Sequence, residues 1–398
     1  MRKLFLLLIV ISLFNACDIS DNEVEPSQSF LRIFDDNEFN ASFIPIDVKQ
    51  TADGGYIVLA STRIEDSNFT GVYLLKADEA GNFVSEQRLT SDFLFPVGEL
   101  MEVEGVFYFV AMRAISFEAV IFAVTDDAEI SEPIGLGVTR PLQTGLDGTD
   151  ILLLSYDNTN KNTVFSVYAT NGGAIGQLGS KAFSIGTGDG IDAPITNHFT
   201  RTGRQLPFRI GRMQGGPYFF NGFVNFTISL IFTDLVADDP IGVLQGQQDD
   251  GGLSSVQHLT GSTFAVSRFD EGDNYLLPNV DINTGGITSS VDLGGNPFPE
   301  LVDEAPVVIK QMEVNGQTVL IYGSHTKGGQ IILLAYSPDT GALLGTKYLG
   351  FSNPYEISGF SPTEDGGLVV AGNTSVAGRF DRICLFKLSE KEMIDFVN

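Results

Sequence analysis

An all-β fold of repeated four-stranded units is what this 398-residue sequence predicts, on three observations. A turn and strand at residues 50–62, "QTADGGYIVLAST", is written again near the other end as "SPTEDGGLVVAGNT". Five degenerate copies lie between them, and the seven turns recur about every 52 residues. Most units then run into a second apolar strand and a second turn, as in "VYLLKADEAGN" and "YSPDTGALLG".

Taken in order, the chain opens on "MRKLFLLLIVISLFNAC", with basic Arg2 and Lys3, an apolar run and small Ala16 before Cys17. This predicts a secretory signal over residues 1–16, too short to span a bilayer, which takes about 20 apolar residues. "LFNAC" resembles a lipobox, which implies cleavage before Cys17 and a lipid on its thiol. Residues 17–28, polar and acidic, form a flexible tether. Such an acidic run also fits a signal for the cell surface. With Cys17 lipidated, Cys384 in apolar "RICLFKL" is the one remaining thiol and is expected in the core.

Residues 29–398 are expected to form one domain. "SFLRIF" (29–34) is a strand without a turn of its own. Asp53-Gly54-Gly55 and Asp365-Gly366-Gly367 supply the positive-φ positions of a hairpin turn. The intermediate turns fall at Glu104-Gly105, Asp147-Gly148, Gln214-Gly215, Thr260-Gly261 and Asn315-Gly316. Four short strands per unit are a propeller blade, so the expectation is a seven-bladed β-propeller, with six or eight as alternatives. A solenoid of parallel repeats is the rival, but it needs terminal caps. The last unit lacks a convincing fourth strand, and pairing it with residues 29–34 would close the ring and remove two exposed edges.

"TADGGYIVLAST" and "TEDGGLVVAGNT" resemble the repeat of bacterial extracellular β-propeller lipoproteins. The resemblance covers residues 29–398 and implies the fold without an activity. It also implies residence at the outer membrane, on its surface or its periplasmic face. A TonB-dependent transporter or another outer-membrane protein is the partner it suggests.

The formal charge of −27 excludes nucleic acid as a partner, since phosphate contacts need many Lys and Arg. The three histidines, His198, His258 and His325, are too scattered for a close-spaced zinc site. No nucleophile elbow or P-loop occurs, and neither metal nor cofactor is expected. The glycine-rich "GTGDGIDAP" has no helix in the expected place and reads as a loop.

One feature opposes the acidic composition. "RTGRQLPFRIGR" holds four of the thirteen arginines, Arg201, Arg204, Arg209 and Arg212, in the longest interval between turns. The strand before each turn is expected innermost, where Lys49, Gln143, His258 and Lys310 would also face the channel. Arg204, Arg209, Arg212, Lys49, Lys310 and His258 are therefore the candidate anion site, since Arg binds carboxylate and phosphate in bidentate fashion. Pairing of these cations with Asp and Glu of neighbouring units is the bland alternative. The functional expectation is a lipid-anchored, non-catalytic binding or scaffold module for an anionic small molecule, glycan or peptide. The alternative is a glycan-active lyase or hydrolase using carboxylates at the channel mouth.

Overall fold

Each of the seven turns joins two antiparallel strands in the computed structural model, which describes residues 28–35, 42–186, 190, 192–247, 251–376 and 380–398. Cys17, the lipobox and the tether up to residue 27 lie outside the described residues. Strand β1 (Phe30–Phe34) is followed by β2 (Phe43–Gln50), β3 (Tyr56–Arg63), β4 (Thr70–Ala77) and β5 (Phe83–Val103). β5 runs on for 21 residues, so the same sheet continues through β6 (Val106–Arg113), β7 (Glu118–Val124) and β8 (Ile134–Thr139). β9 (Pro141–Asp147), β10 (Asp150–Asp157), β11 (Asn162–Asn171) and β12 (Ala174–Ser184) form the next sheet.

After an insertion carrying helix α1 (Ala193–His198) come β13 (Arg209–Arg212), β14 (Tyr218–Val224), β15 (Thr227–Thr233) and β16 (Gly242–Gln245). β17 (Gly251–Thr260), β18 (Thr263–Asp270) and β19 (Asp273–Asp281) pair among themselves. β20 (Ile287–Ser289) leaves them and runs parallel to β16. β21 (Val308–Val314), β22 (Gln317–His325), β23 (Ile331–Tyr336) and β24 (Leu343–Leu349) form one more sheet. The last holds β25 (Tyr355–Pro362), β26 (Leu368–Val376) and β27 (Phe380–Leu388), and helix α2 (Glu390–Val397) ends the chain.

The sheets stand around a central channel as a β-propeller. Middle strands such as β4 and β23 are buried along their whole length, because a neighbouring sheet covers each face. Strands at the rim, such as β12, are largely exposed. Apolar clusters fill the gaps between successive sheets and supply the driving force for the ring. One of them joins the ends of the chain: Phe30, Phe43 and Tyr56 meet Val369, Ile383 and Leu385. β1 pairs antiparallel with β27, from Phe30 opposite Lys387 to Phe34 opposite Ile383.

Two expectations need correction. The strands do not divide into seven separate four-stranded sheets. Among the described residues hydrogen bonding makes six sheets: three of four strands, and one each of three, five and seven. The causes are the continuity of β5, which welds two units, and the departure of β20, which leaves three strands behind. The helices were also unforeseen. α2 starts at a reciprocal capping box, Ser389 with Glu392, and buries Met393, Phe396 and Val397 against the last two sheets. Cys384 is fully buried and free, and burial pushes its thiol up to about 12.

Candidate functional site

The insertion between β12 and β13 folds across the mouth of the channel, where the inner strands begin. A helix does form here, against the reading of the glycine-rich stretch as loop alone; residues 187–189 and 191 lie outside the described residues. Pro194 in the first turn suits a helix start, where its missing N–H costs nothing. The segment ends on His198, which packs edge-on against Phe95 and Phe208 at 5.3 and 5.0 Å. Its Nδ1 accepts the Leu206 N–H at 2.8 Å, and burial holds its pKa down to about 3. The ring is therefore neutral, with its proton on Nε2. Asn221 of β14 ties the cap to the ring by donating to Pro207 O and Leu253 O, both at 2.8 Å.

Beneath the cap is a channel cavity of about 340 Å³ lined from β2, β5, β9, β13, β17, β21 and β25. Its wall carries Arg209 and Lys310 against Asp47 and Glu99, with Gln143 and Ser255 among the neutral polar groups. Asp47 and Lys49 are two apart on β2 and so share a face. They pair at 3.7 Å. Asp47 is 1% exposed and also accepts the Leu100 N–H at 3.1 Å.

Lys310 Nζ lies 3.6 Å from Asp47 and 3.5 Å from Glu99, ion-pairing distances with no protein acceptor in hydrogen-bond geometry. Burial works against its charge, but the two carboxylates outweigh burial and raise its pKa. Lys310 lowers the Glu99 pKa to about 2, against the opposing effect of burial, with help from Lys49 and Arg209. Glu99 has surface open to the cavity, yet protein encloses that space, so the cations act on it almost as in an interior. Its depressed pKa is the reverse of what a general acid needs at neutral pH.

Arg209 is held by neutral acceptors. Its guanidinium donates to Phe208 O at 2.8 Å, Val307 O at 3.0 Å and Ser255 Oγ at 3.4 Å. Burial lowers its pKa, with Glu99 opposing. Among the described residues no carboxylate comes within 4.0 Å of it.

The structure thus gathers three of the six predicted residues, Arg209, Lys310 and Lys49, and leaves three elsewhere. Arg212 sits at the turn end of β13, paired with Asp147 at 2.6 Å and stacked over Tyr218 at 4.6 Å. Arg204 lies on the outer side of the cap, paired with Glu304 at 2.5 Å. His258 bonds to Gly261 O at 3.1 Å in its own turn. The sequence reading missed Asp47 and Glu99. The available signal was the Asp-x-Lys spacing on an inner strand, hidden by the abundance of acidic residues. Among the described residues no helix is long and apolar enough to cross a membrane.

No protein-family model matches the chain, and no curated protein matches it. Solved structures do. A prolyl endopeptidase is similar with a TM-score of 0.40 and 13% identity, over 85% of this chain and 46% of that one. The chain therefore spans about half the length of that protein. The β-propeller domain of the Trilobed protease from Pyrococcus furiosus is similar at a TM-score of 0.44 and 10% identity, covering 89% and 98% of the two chains. The Dos1 propeller follows at 0.45 and 9%, covering 87% and 92%. These likenesses do not extend to activity.

Proposed function

We propose that this chain is a non-catalytic binding module, held at the outer membrane by a lipid on Cys17, whose channel takes a small anionic ligand. The observation that carries the reading is Arg209: a cation on the channel wall, oriented by three neutral acceptors and left without a carboxylate of its own. Lys310 adds an ammonium without a hydrogen-bond acceptor. Counting Lys49, three cations meet two carboxylates in a chain of charge −27. A carboxylate, phosphate or sulfate would supply acceptors to both Arg209 and Lys310. On this reading the module serves a membrane-protein partner, such as a TonB-dependent transporter, by holding the ligand near it.

Calorimetric titration of citrate, phosphate and sulfate into wild type, Arg209→Gln and Lys310→Met tests the site. Binding to wild type, weakened at least tenfold in variants that keep the wild-type circular dichroism, supports it. Equal affinity in all three proteins places recognition elsewhere. The anchor has its own test, labelling with a fatty-acid analogue, which Cys17→Ala should abolish. Persistent labelling of that variant would remove the lipid from the proposal.

A further inference from the structure

A second and larger cavity, about 710 Å³, opens between the outer side of the cap and the tip of the β14–β15 hairpin. This is within the range of small-molecule sites and twice the volume of the channel cavity. Its apolar surface is aromatic in large part, from Phe223, Phe226 and Phe269. Phe223 and Phe269 are nearly buried, whereas Phe226 is 44% exposed.

Phe226 is also conformationally unusual. Asn225 and Phe226 occupy the hairpin turn with φ of 46° and 76°. That region suits Asn and Gly and disfavours a bulky side chain. The ring is seated over Gly186, where an added Cβ would come within 2.7 Å of it. A strained turn therefore holds a half-open aromatic ring at the cavity wall.

Among the described residues that line the cavity, three neutral polar side chains are uncommitted, whereas the hydroxyls of Thr200 and Thr227 are already hydrogen-bonded. The side chains of Asn197, Thr202 and Gln247 line the cavity, and none makes a hydrogen bond to another described residue. Among the described residues of the lining the one charged side chain is Arg204, which is paired with Glu304 and lies 5.4 Å above the Phe269 ring. The described lining thus offers aromatic faces, amides and hydroxyls, with its cation already paired.

We propose that this cavity is a binding site for a neutral saccharide. A pyranose presents a C–H face that packs on an aromatic ring and a rim of hydroxyls that both donate and accept. Phe226 is the stacking platform, and Asn197, Thr202 and Gln247 are the hydroxyl partners. An extended peptide is read through a run of backbone groups, as when it extends a sheet edge. Here the recognition elements are side chains from separate segments, which favours the saccharide. The site is independent of the channel and of the anion it is proposed to hold.

The test is saturation-transfer NMR of the folded protein with cellotriose, maltotriose, mannotriose and chitotriose, and with triglycine as the peptide probe. Transfer from at least one trisaccharide, lost in Phe226→Gly and reduced at least fivefold in Asn197→Ala/Gln247→Ala, supports the site. Glycine suits the turn, so Phe226→Gly should stay folded, and the double variant touches only exposed side chains. Lys310→Met should leave the saccharide signal unchanged, which separates this site from the channel. Absence of transfer from all four sugars, equal transfer in the variants, or transfer from triglycine alone would overturn the proposal.

Discussion

The ammonium of Lys387, with 1% of its side chain exposed, donates to both carboxylate oxygens of Asp365 at 2.9 Å. In the other well-preserved repeat Lys76 donates to one carboxylate oxygen of Asp53 at 2.8 Å and to Thr51 Oγ1 at 2.6 Å. Each Asp also accepts from a Thr two residues earlier and from the second Gly of its turn. The two glycines have separate reasons. The first takes φ of +81° or +78°, and the second leaves room for the Lys: a Cβ on Gly55 or Gly367 would come 2.9 or 2.2 Å from the ammonium. Thr-x-Asp-Gly-Gly and a Lys about 22 residues on are thus one physical unit, built around a buried charge.

Lys387→Met should cost about 1.5–3 kcal/mol, the loss of a charged hydrogen bond whose acceptor can still reach solvent. Asp365→Asn should cost more, because it leaves a buried ammonium short of its counter-charge. Urea melts of the two variants decide the order. If Asp365→Asn proves the milder change, the Lys is solvated when released and the unit is weaker than its geometry suggests.

Phe30→Ala should cost about 3–5 kcal/mol and lower the melting temperature of the whole ring in a single transition. The reason is that Phe30 packs with Tyr56 of the second hairpin strand, ring centroids 6.1 Å apart, inside the cluster joining both chain ends. Calorimetry reads this directly. A small early transition with an unchanged main peak would show that β1 frays without opening the ring.

The repeat was legible because its physics is local. A buried Lys, a capped Asp and two glycines must recur together, so the first and last copies share the Thr, the Asp, both glycines and the Lys. Four of the five intermediate turns keep only one glycine and none keeps the whole Thr-x-Asp-Gly-Gly unit, enough to mark a hairpin and too little to say where a sheet ends. Whether β5 breaks after Leu89 or continues to Val103 depends on long-range pairing, which leaves no local trace. The candidate site was half legible for the same reason. Arg209, Lys49 and Lys310 stand out as cations in an acidic chain. Asp47 and Glu99 are two carboxylates among 50 acidic residues, and only the ring brings them together.

His198 predicts a pH dependence. Its folded pKa, about 3, lies below its ordinary value of 6.5 because burial disfavours the charged ring. As pH falls through 6.5 the unfolded chain takes up the proton first, so stability declines from there towards pH 3 and then levels off. His325, also lowered by burial, contributes in the same sense, while carboxylates such as Glu99 and Asp53 act only below about pH 4.5. His198→Asn, whose side-chain oxygen can still accept from Leu206, should therefore show a shallower loss between pH 6.5 and 5. Identical slopes for the two proteins would mean that the unfolded cap already shields the ring.

Gly203 predicts how firmly the cap is fixed. A Cβ there would lie 1.8 Å from the carbonyl oxygen of Asn197, a backbone atom that cannot yield without moving the end of α1. The Gly203 N–H also donates to Thr200 O at 3.1 Å, closing the chain reversal that carries Thr202 and Arg204 to the outer side of the cap. Gly203→Ala should therefore shift the cap, whose Ile195 and Phe199 pack into the apolar cluster between the neighbouring sheets, while leaving the hydrogen bonding within the sheets in place. The expected result is faster proteolysis within residues 192–208, with a thermal melt lowered far less than by Phe30→Ala. Binding in the outer cavity should fall with it, since Asn197 and Thr202 flank the substituted position. Should Gly203→Ala resist protease as wild type does, the cap must have a second packing, and its hold on the channel mouth would be looser than the hydrogen bonds of Asn221 imply.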